Sequence, residues 1–219
     1  MNLKELKYRI TTSVILLPII IYIILVNNVF FPILLLSVLL ISIYEWFEIN
    51  KKKISIIFIL GFLFLLLSIY LAYNLRGDNN ENLLNFLWVV FACIFSDVGG
   101  YVFGNLFGRK KITKISPNKT YAGMYGSFLF SIFPIIILYF LGYKFFGLNL
   151  DLNLKYILLS LLFSFTCQAG DIIISYFKRK NKLKNTGKIL PGHGGILDRI
   201  DGLIFVFILA GFLQFLKYI

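Results

Sequence analysis

The sequence is poor in cysteine, histidine and acidic residues, and each shortage narrows what the chain can be. Its two cysteines, Cys93 and Cys167, sit inside apolar stretches. They have neither metal-ligand spacing nor the pattern of a disulfide framework, so both read as small buried hydrophobes. The one histidine, His193, stands among glycines. Acidic residues number 10 against 22 lysines and arginines, a formal net charge of +12. Such an excess marks the cytoplasmic loops of a membrane protein. It also suits an anionic partner such as nucleotide phosphates or acidic lipids, and nucleic acid is not expected. A small-residue cleavage site is missing after the first apolar stretch, which follows Lys4, Lys7 and Arg9 and runs into Asn27, Asn28 and more apolar sequence. That stretch is read as a retained helix, not a signal peptide. No internal repeat and no soluble domain are visible, and every loop is short.

Apolar surface, by contrast, is abundant. Of the 219 residues, 59% are hydrophobic and 18% aromatic, against about 45–50% apolar in soluble domains. One globular core of this size cannot hide that excess. Apolar runs of about 18 residues or more read as transmembrane helices, so the expected class is an all-α, polytopic integral membrane protein. About seven apolar segments stand out: Thr11 to Val26, Phe30 to Trp46, Ile54 to Tyr73, Leu83 to Phe103, Tyr121 to Tyr143, Tyr156 to Tyr176 and Gly202 to Leu216. Pro18, Pro32 and Pro134 fall inside segments, where kinks are tolerated in membranes.

Charge tests this count. Basic residues gather before the first segment, at Lys51 to Lys53, between Arg109 and Lys119, and between Lys178 and Lys188. The intervening connections are poor in positive charge. This alternation predicts seven spans with the N-terminus inside and the C-terminus outside. Residues 1–82 then form three N-terminal transmembrane helices. Residues 83–219 form a catalytic core of four helices whose two basic loops share the cytoplasmic face.

The chemistry-bearing residues lie in those loops. The first constellation follows Gly170-Asp171 and runs from Ser175 through Lys178, Arg179, Lys184, Asn185 and Gly187 to Pro191-Gly192-His193-Gly194-Gly195 and Asp198-Arg199-Ile200-Asp201. Lys178, Arg179, Lys184 and Lys188 can pair with phosphate oxygens. Gly192, Gly194 and Gly195 let the backbone approach a ligand closely and form an anion nest. Asp198 and Asp201 are three apart, so on a helix they would share a face. Carboxylates at membrane depth cost about 2.5–3.5 kcal/mol each. Asp171, Asp198 and Asp201 beside so many basic groups therefore suggest Mg²⁺ held between protein and phosphates. The plainer reading of Asp198-Arg199-Ile200-Asp201 is a capped helix start, and that of His193 a turn residue.

The second constellation is Ser96-Asp97, Gly99-Gly100-Tyr101, Gly104, Gly108-Arg109, then Ser116-Pro117, Lys119-Thr120 and Gly123. Gly100, Gly104 and Gly108 recur every fourth residue and predict close helix packing. Asp97 reads either as a partner for a neighbouring helix or as a metal or nucleotide contact. Ser116, Lys119 and Thr120 precede a helix and could cradle phosphate. Glu45 and Glu48, beside Lys51 to Lys53, read as interfacial anchors and surface pairs.

These residues carry a family resemblance. The segment from Ser175 to Asp201 resembles the signature of the phosphatidate cytidylyltransferase, or CDP-diacylglycerol synthase, family. It matches at Ser175, Lys178, Arg179, Lys184, Gly187, Pro191, His193, Gly194, Gly195, Asp198, Arg199 and Asp201. The region from Asp97 to Gly123 is similar to a second block of that family. Two positions depart from the pattern: Asn185 stands where the family usually has Asp, and Ala122 where it usually has Glu.

The resemblance implies an enzyme that joins CTP to phosphatidic acid, releasing pyrophosphate; the loop charges put its site on the cytoplasmic face, and a short chain without targeting extensions suits a bacterial inner membrane. The resemblance also implies Asp171, Asp198 and Asp201 as metal ligands, with Asp97 a weaker candidate. Lys178, Arg179, His193 and Arg199 would hold phosphates. Ser116, Lys119, Thr120, Ser175, Lys184, Gly194 and Gly195 would bind substrate. Mg²⁺ is the implied cofactor, and membrane lipids surround the chain; room is left for a second metal ion and for a homodimer. The competing readings are a CTP-dependent lipid kinase, a cytidylyltransferase for another lipid phosphate, an ion-coupled transporter, and a homologue that has lost turnover.

Overall fold

The computed structural model describes residues 18–26, 29–113, 116, 119–141, 153–187, 189 and 194–219. The described residues are built from helices, α1 (residues 18–26), α2 (Phe30–Ile49), α3 (Ile56–Arg76), α4 (Asn80–Phe107), α5 (Tyr121–Ser131), α6 (Phe133–Leu141), α7 (Leu154–Lys180), α8 (Leu197–Ile200) and α9 (Leu203–Phe215). The chain is an all-α polytopic membrane protein. Five stretches are long and apolar enough to cross a bilayer: α2, α3, α4, α7 and the α5–α6 run Tyr121–Phe140. The seventh expected segment is the 13-residue α9, about 20 Å long at 1.5 Å per residue, shorter than a hydrocarbon core of about 30 Å. Of the first expected segment, residues 11–17 lie outside the described residues.

Local chemistry explains the boundaries. Asn79 caps α4 by accepting a hydrogen bond from the Asn82 amide at 2.7 Å, a side-chain oxygen satisfying an otherwise unpaired helix-start donor. Thr120 does the same for α5, its Oγ1 accepting from the Gly123 amide at 3.1 Å. The fifth apolar segment is broken at Ile132, because Pro134 has no amide to donate and its ring crowds the preceding turn.

Of the described residues, those within Met1–Tyr73 and Phe177–Ile200 form one compact unit, and those within Asn74–Tyr176 and Asp201–Ile219 form another. In the first unit, Trp46 ties α2 to α3 through a 3.1 Å hydrogen bond from its indole to the Phe58 carbonyl. The ring meets Phe177 edge-on at 5.2 Å. Gly61 is where that indole packs, and a Cβ there would run into it.

In the second unit, α4 packs on α5, α6 and α9. It also meets α7, through Trp88 donating to Ser160 Oγ at 2.9 Å and through the Ser96 and Ser164 hydroxyls, hydrogen-bonded to each other at 2.8 Å. All four side chains are buried. Lipid is as apolar as leucine, so such polar links and tight packing supply the association, at about 0.6 kcal/mol per hydrogen bond. Cys93 and Cys167 are buried and unbridged, as expected.

The contact of α4 with α5 is glycine on glycine. A Cβ on Gly99 would strike the Gly126 carbonyl, and one on Gly123 would strike the Gly100 carbonyl. Gly104 faces the Gly123 Cα. The fourfold glycine spacing is thus a packing seam that brings two backbones together.

Candidate functional site: two aspartate–lysine pairs

The second unit holds a pocket of about 220 Å³ beside the glycine seam. The chain between α4 and α5 folds back on itself. The Ile112 amide donates to the Lys119 carbonyl at 2.9 Å, Tyr121 to Lys110 at 3.1 Å, and Lys119 to Ser116 at 3.0 Å. This hairpin delivers Lys119, whose Nζ donates to Asp171 Oδ2 at 2.8 Å and to the Gln168 carbonyl at 3.2 Å. Asp97, Tyr101, Ser116, Lys119, Thr120 and Asp171 all line the pocket. Thr120 is buried and its hydroxyl is the α5 cap, so it shapes the wall while holding the helix. The Lys119 and Asp171 side chains remain 24% and 18% exposed, so a ligand in the pocket can reach both. Gly202 lies so close to Asp171 Oδ1 and Cys167 Sγ that any side chain there would collide with them.

The first unit holds the other pair. Lys178, in the last turn of α7, donates to Asp198 Oδ1 at 2.7 Å. Asp198 Oδ2 accepts from the amides of Thr186 at 2.8 Å and Gly195 at 3.1 Å. Burial pushes the Asp198 carboxyl up, but the Lys178 bond and the two amides outweigh it and hold the group below the ordinary carboxylate value. The pair is only 9% and 11% exposed. Gly194 takes φ +93°, a left-handed conformation that glycine adopts without strain, and so turns the chain around this carboxylate.

Glu45 differs from its expected part. Read as an interfacial anchor, it is fully buried. Its Oε2 accepts from Thr186 Oγ1 at 2.7 Å and the Leu197 amide at 2.9 Å, and its Oε1 from the Ile196 amide at 2.9 Å. The signal that could have found it is an acid within an apolar run, which defaults to a functional position in membranes. Glu48 does form the expected surface pair, with Lys52 at 3.2 Å.

The remaining predicted residues fall as follows. Arg179 and Arg199 are exposed, and Arg179 also donates to the Leu183 carbonyl at 3.0 Å. Lys184 is exposed and lines a second cavity, in the first unit, with Asn185 and Tyr44. Ser175 is half-buried on α7, and Gly195 is buried against Glu45 and Thr186. His193, with Lys188, Pro191 and Gly192, lies outside the described residues. Asp198 and Asp201 do not share a helical face: α8 ends at Ile200, and Asp201 sits in the Asp201-Gly202 turn before α9. There Asp201 Oδ1 accepts from the Gly202 amide at 3.2 Å.

Among the described residues no three histidine, cysteine, aspartate or glutamate side chains converge as a ligand set. Mg²⁺ commonly needs fewer, one or two carboxylates completed by substrate phosphates and water. Asp97 and Asp171 on one pocket fit that demand. Asp198 fits it less well, because its two oxygens already serve three N–H donors.

Comparison with known proteins bears on this arrangement. Residues 54–216 match the sequence profile of the Cytidylyltransferase family. The chain is 43% identical over 136 residues to a phosphatidate cytidylyltransferase of Staphylococcus haemolyticus, covering 61% of this chain and 49% of that protein. It is 40% identical over 136 residues to the protein of that name from Staphylococcus aureus, with the same coverages of 61% and 49%. For Staphylococcus saprophyticus the identity is 37% over 149 residues, 67% of this chain and 51% of the relative. The chain thus spans about half the length of the curated relatives it matches. The profile covers most of the chain and takes in both aspartate–lysine pairs, and on that ground the chain belongs to the cytidylyltransferase family.

Proposed function

We propose that the chain catalyses cytidylyl transfer from CTP to phosphatidate, giving CDP-diacylglycerol and pyrophosphate, at the cytoplasmic face of a bacterial inner membrane. Seven spans with the N-terminus inside, as the loop charges suggest, belong to the same proposal. The observation that carries it is the pocket in which Asp97, Asp171, Lys119 and Ser116 face one another beside the glycine seam. The family membership and the names of the relatives support the same reading.

In this reaction a phosphatidate oxygen attacks the α-phosphorus of CTP. A new P–O bond forms, the bond between the α- and β-phosphates breaks, and pyrophosphate leaves. A phosphate dianion is already a nucleophile, so no strong base is required, and the barrier lies in bringing two anions together in line. Asp97 and Asp171 would hold Mg²⁺, which when bound would neutralise phosphate charge. Lys119 contributes a cation already oriented by Asp171 and the Gln168 carbonyl, so little reorganisation is needed when charge develops. Ser116 offers a hydroxyl to a phosphate oxygen. In the first unit, Arg179, Lys184 and Arg199 are exposed, and Lys178 and Asp198 hold their loop in shape.

The test is incorporation of labelled CTP into lipid by the purified protein with phosphatidate and Mg²⁺. Metal-dependent formation of CDP-diacylglycerol that collapses in Asp171→Asn is the expected result. No CDP-lipid from folded protein, across several lipid phosphates and metals, overturns the proposal.

A further inference from the structure

Glu45 precedes the segment that matches the family profile, yet it is fully buried and accepts three hydrogen bonds, as many as Asp198. Two features set it apart from a helix-end anchor. First, among the described residues its hydrogen bonds go to Thr186, Ile196 and Leu197, 141 to 152 positions away in sequence. Second, two glycines beside these residues are shaped to it. A Cβ on Gly187 would meet Glu45 Oε1, and a Cβ on Gly195 would collide with Glu45 Oε2 and Thr186 Oγ1. An ionised carboxylate only accepts hydrogen bonds, and each partner here is a donor. Thr186 connects this arrangement to Asp198, because its hydroxyl serves Glu45 while its amide serves Asp198.

We infer that Glu45 is a positioning residue for cytidylyl transfer. It clamps Thr186, Ile196 and Leu197 from α2, so that Asp198 and Lys178 are fixed and Lys184 and Arg199 are presented in one arrangement. The inference rests on the functional reading above. Glu45 acts through these residues, with no contact to the reacting atoms required. The side chains at 45 and 186 therefore form a graded series. Alanine at 45 leaves the Thr186 hydroxyl and two amides without their acceptor. Aspartate is one methylene too short to serve all three. Glutamine keeps one oxygen for Thr186 and Leu197 but turns its NH₂ toward the Ile196 amide, a donor facing a donor. Thr186→Val removes one hydroxyl and leaves the amide bond to Asp198, and Thr186→Ser keeps both.

The experiment compares purified, monodisperse variants in nanodiscs by two readouts, CTP kinetics with phosphatidate and amide hydrogen exchange over residues 184–198. Expected are a loss of about 100-fold in kcat/KM for Glu45→Ala, a smaller loss for Glu45→Gln, about 10-fold for Thr186→Val, and near-complete rescue in Thr186→Ser. KM for CTP should rise, and exchange should quicken in residues 184–198 while α4 and α5 stay protected. Unchanged exchange in Glu45→Ala, or activity falling only in proportion to folded protein with KM unaltered, overturns the inference. A wild-type protein without transferase activity but with exchange that quickens in Glu45→Ala would sink the functional reading and retain the clamp; an active wild type whose Glu45→Ala exchanges normally would sink the clamp alone.

Discussion

Two lysine–aspartate pairs of nearly equal length, 2.8 Å and 2.7 Å, serve opposite ends in this molecule. Lys119–Asp171 opens onto a pocket, shares its lysine with a backbone carbonyl, and has Asp97 and Ser116 on the same walls. Lys178–Asp198 is more enclosed, and its carboxylate is saturated by two backbone amides as well. The difference lies in the company each carboxylate keeps. A pair left partly open can exchange a protein partner for a ligand, whereas a pair surrounded by donors stabilises the chain that supplies them. Residue type and ion-pair distance alone do not separate these two jobs.

That contrast can be broken by mutation. The largest effect is expected at the open pair. Asp171→Asn or Lys119→Met should lower transfer about 1,000-fold, the scale of losing a main electrostatic contributor in a preorganised site, with thermal stability nearly unchanged. If thermal unfolding in detergent fell as far as activity, the two pairs would be alike.

At the enclosed pair, Asp198→Ala should cost about 3 kcal/mol of stability, because it strands a lysine and two amides. Denaturation of the purified variant measures this, and a cost under about 0.5 kcal/mol would remove the distinction. Gly195→Ala pushes a methyl group into Glu45 and Thr186 and should cost about 1–3 kcal/mol by overpacking, read by the same assay.

Acid sharpens the comparison further. The Asp198 carboxyl is held below its ordinary value of 3.8. A depressed carboxylate contributes stability above its unfolded value and loses it as pH falls through the folded one. Protection over residues 184–198, exchange taken relative to the intrinsic rate at each pH, should therefore be flat near neutrality, then fall below about pH 4 in the wild type, with a flatter acid response in Asp198→Asn.

The smallest effect belongs to Asn185. Its side chain and Asp198 Oδ2 flank Gly194, at 3.4 Å and 2.9 Å from where a Cβ would stand. Asn185→Asp would place a second negative charge there, and a loss of a few tenths of a kcal/mol at low divalent-ion concentration is expected, reversed by Mg²⁺. A gain in stability without divalent ion would refute this.

Much of the fold was legible because membrane helices announce themselves by composition and length. The segment expected from Leu83 became Asn80–Phe107, and the one expected from Tyr156 became Leu154–Lys180. The glycine spacing correctly signalled close packing. Asp97, Lys119 and Asp171 were each singled out, but their convergence was not readable, since Lys119 and Asp171 are 52 positions apart. Glu45 was misjudged for a physical reason: three lysines follow it closely and offered a local partner, while its true partners lie more than 140 positions away. The shared face of Asp198 and Asp201 failed because a turn at Asp201-Gly202 separates α8 from α9.

The glycine seam between α4 and α5 has a consequence for how a ligand is received. Glycine has no rotamers to lose, so Gly100 and Gly123, which line the pocket, add no side-chain freedom that binding must quench. That part of the wall stands already formed before any ligand arrives. Binding energy that would otherwise be consumed in ordering the receptor is then available for bringing two anions together.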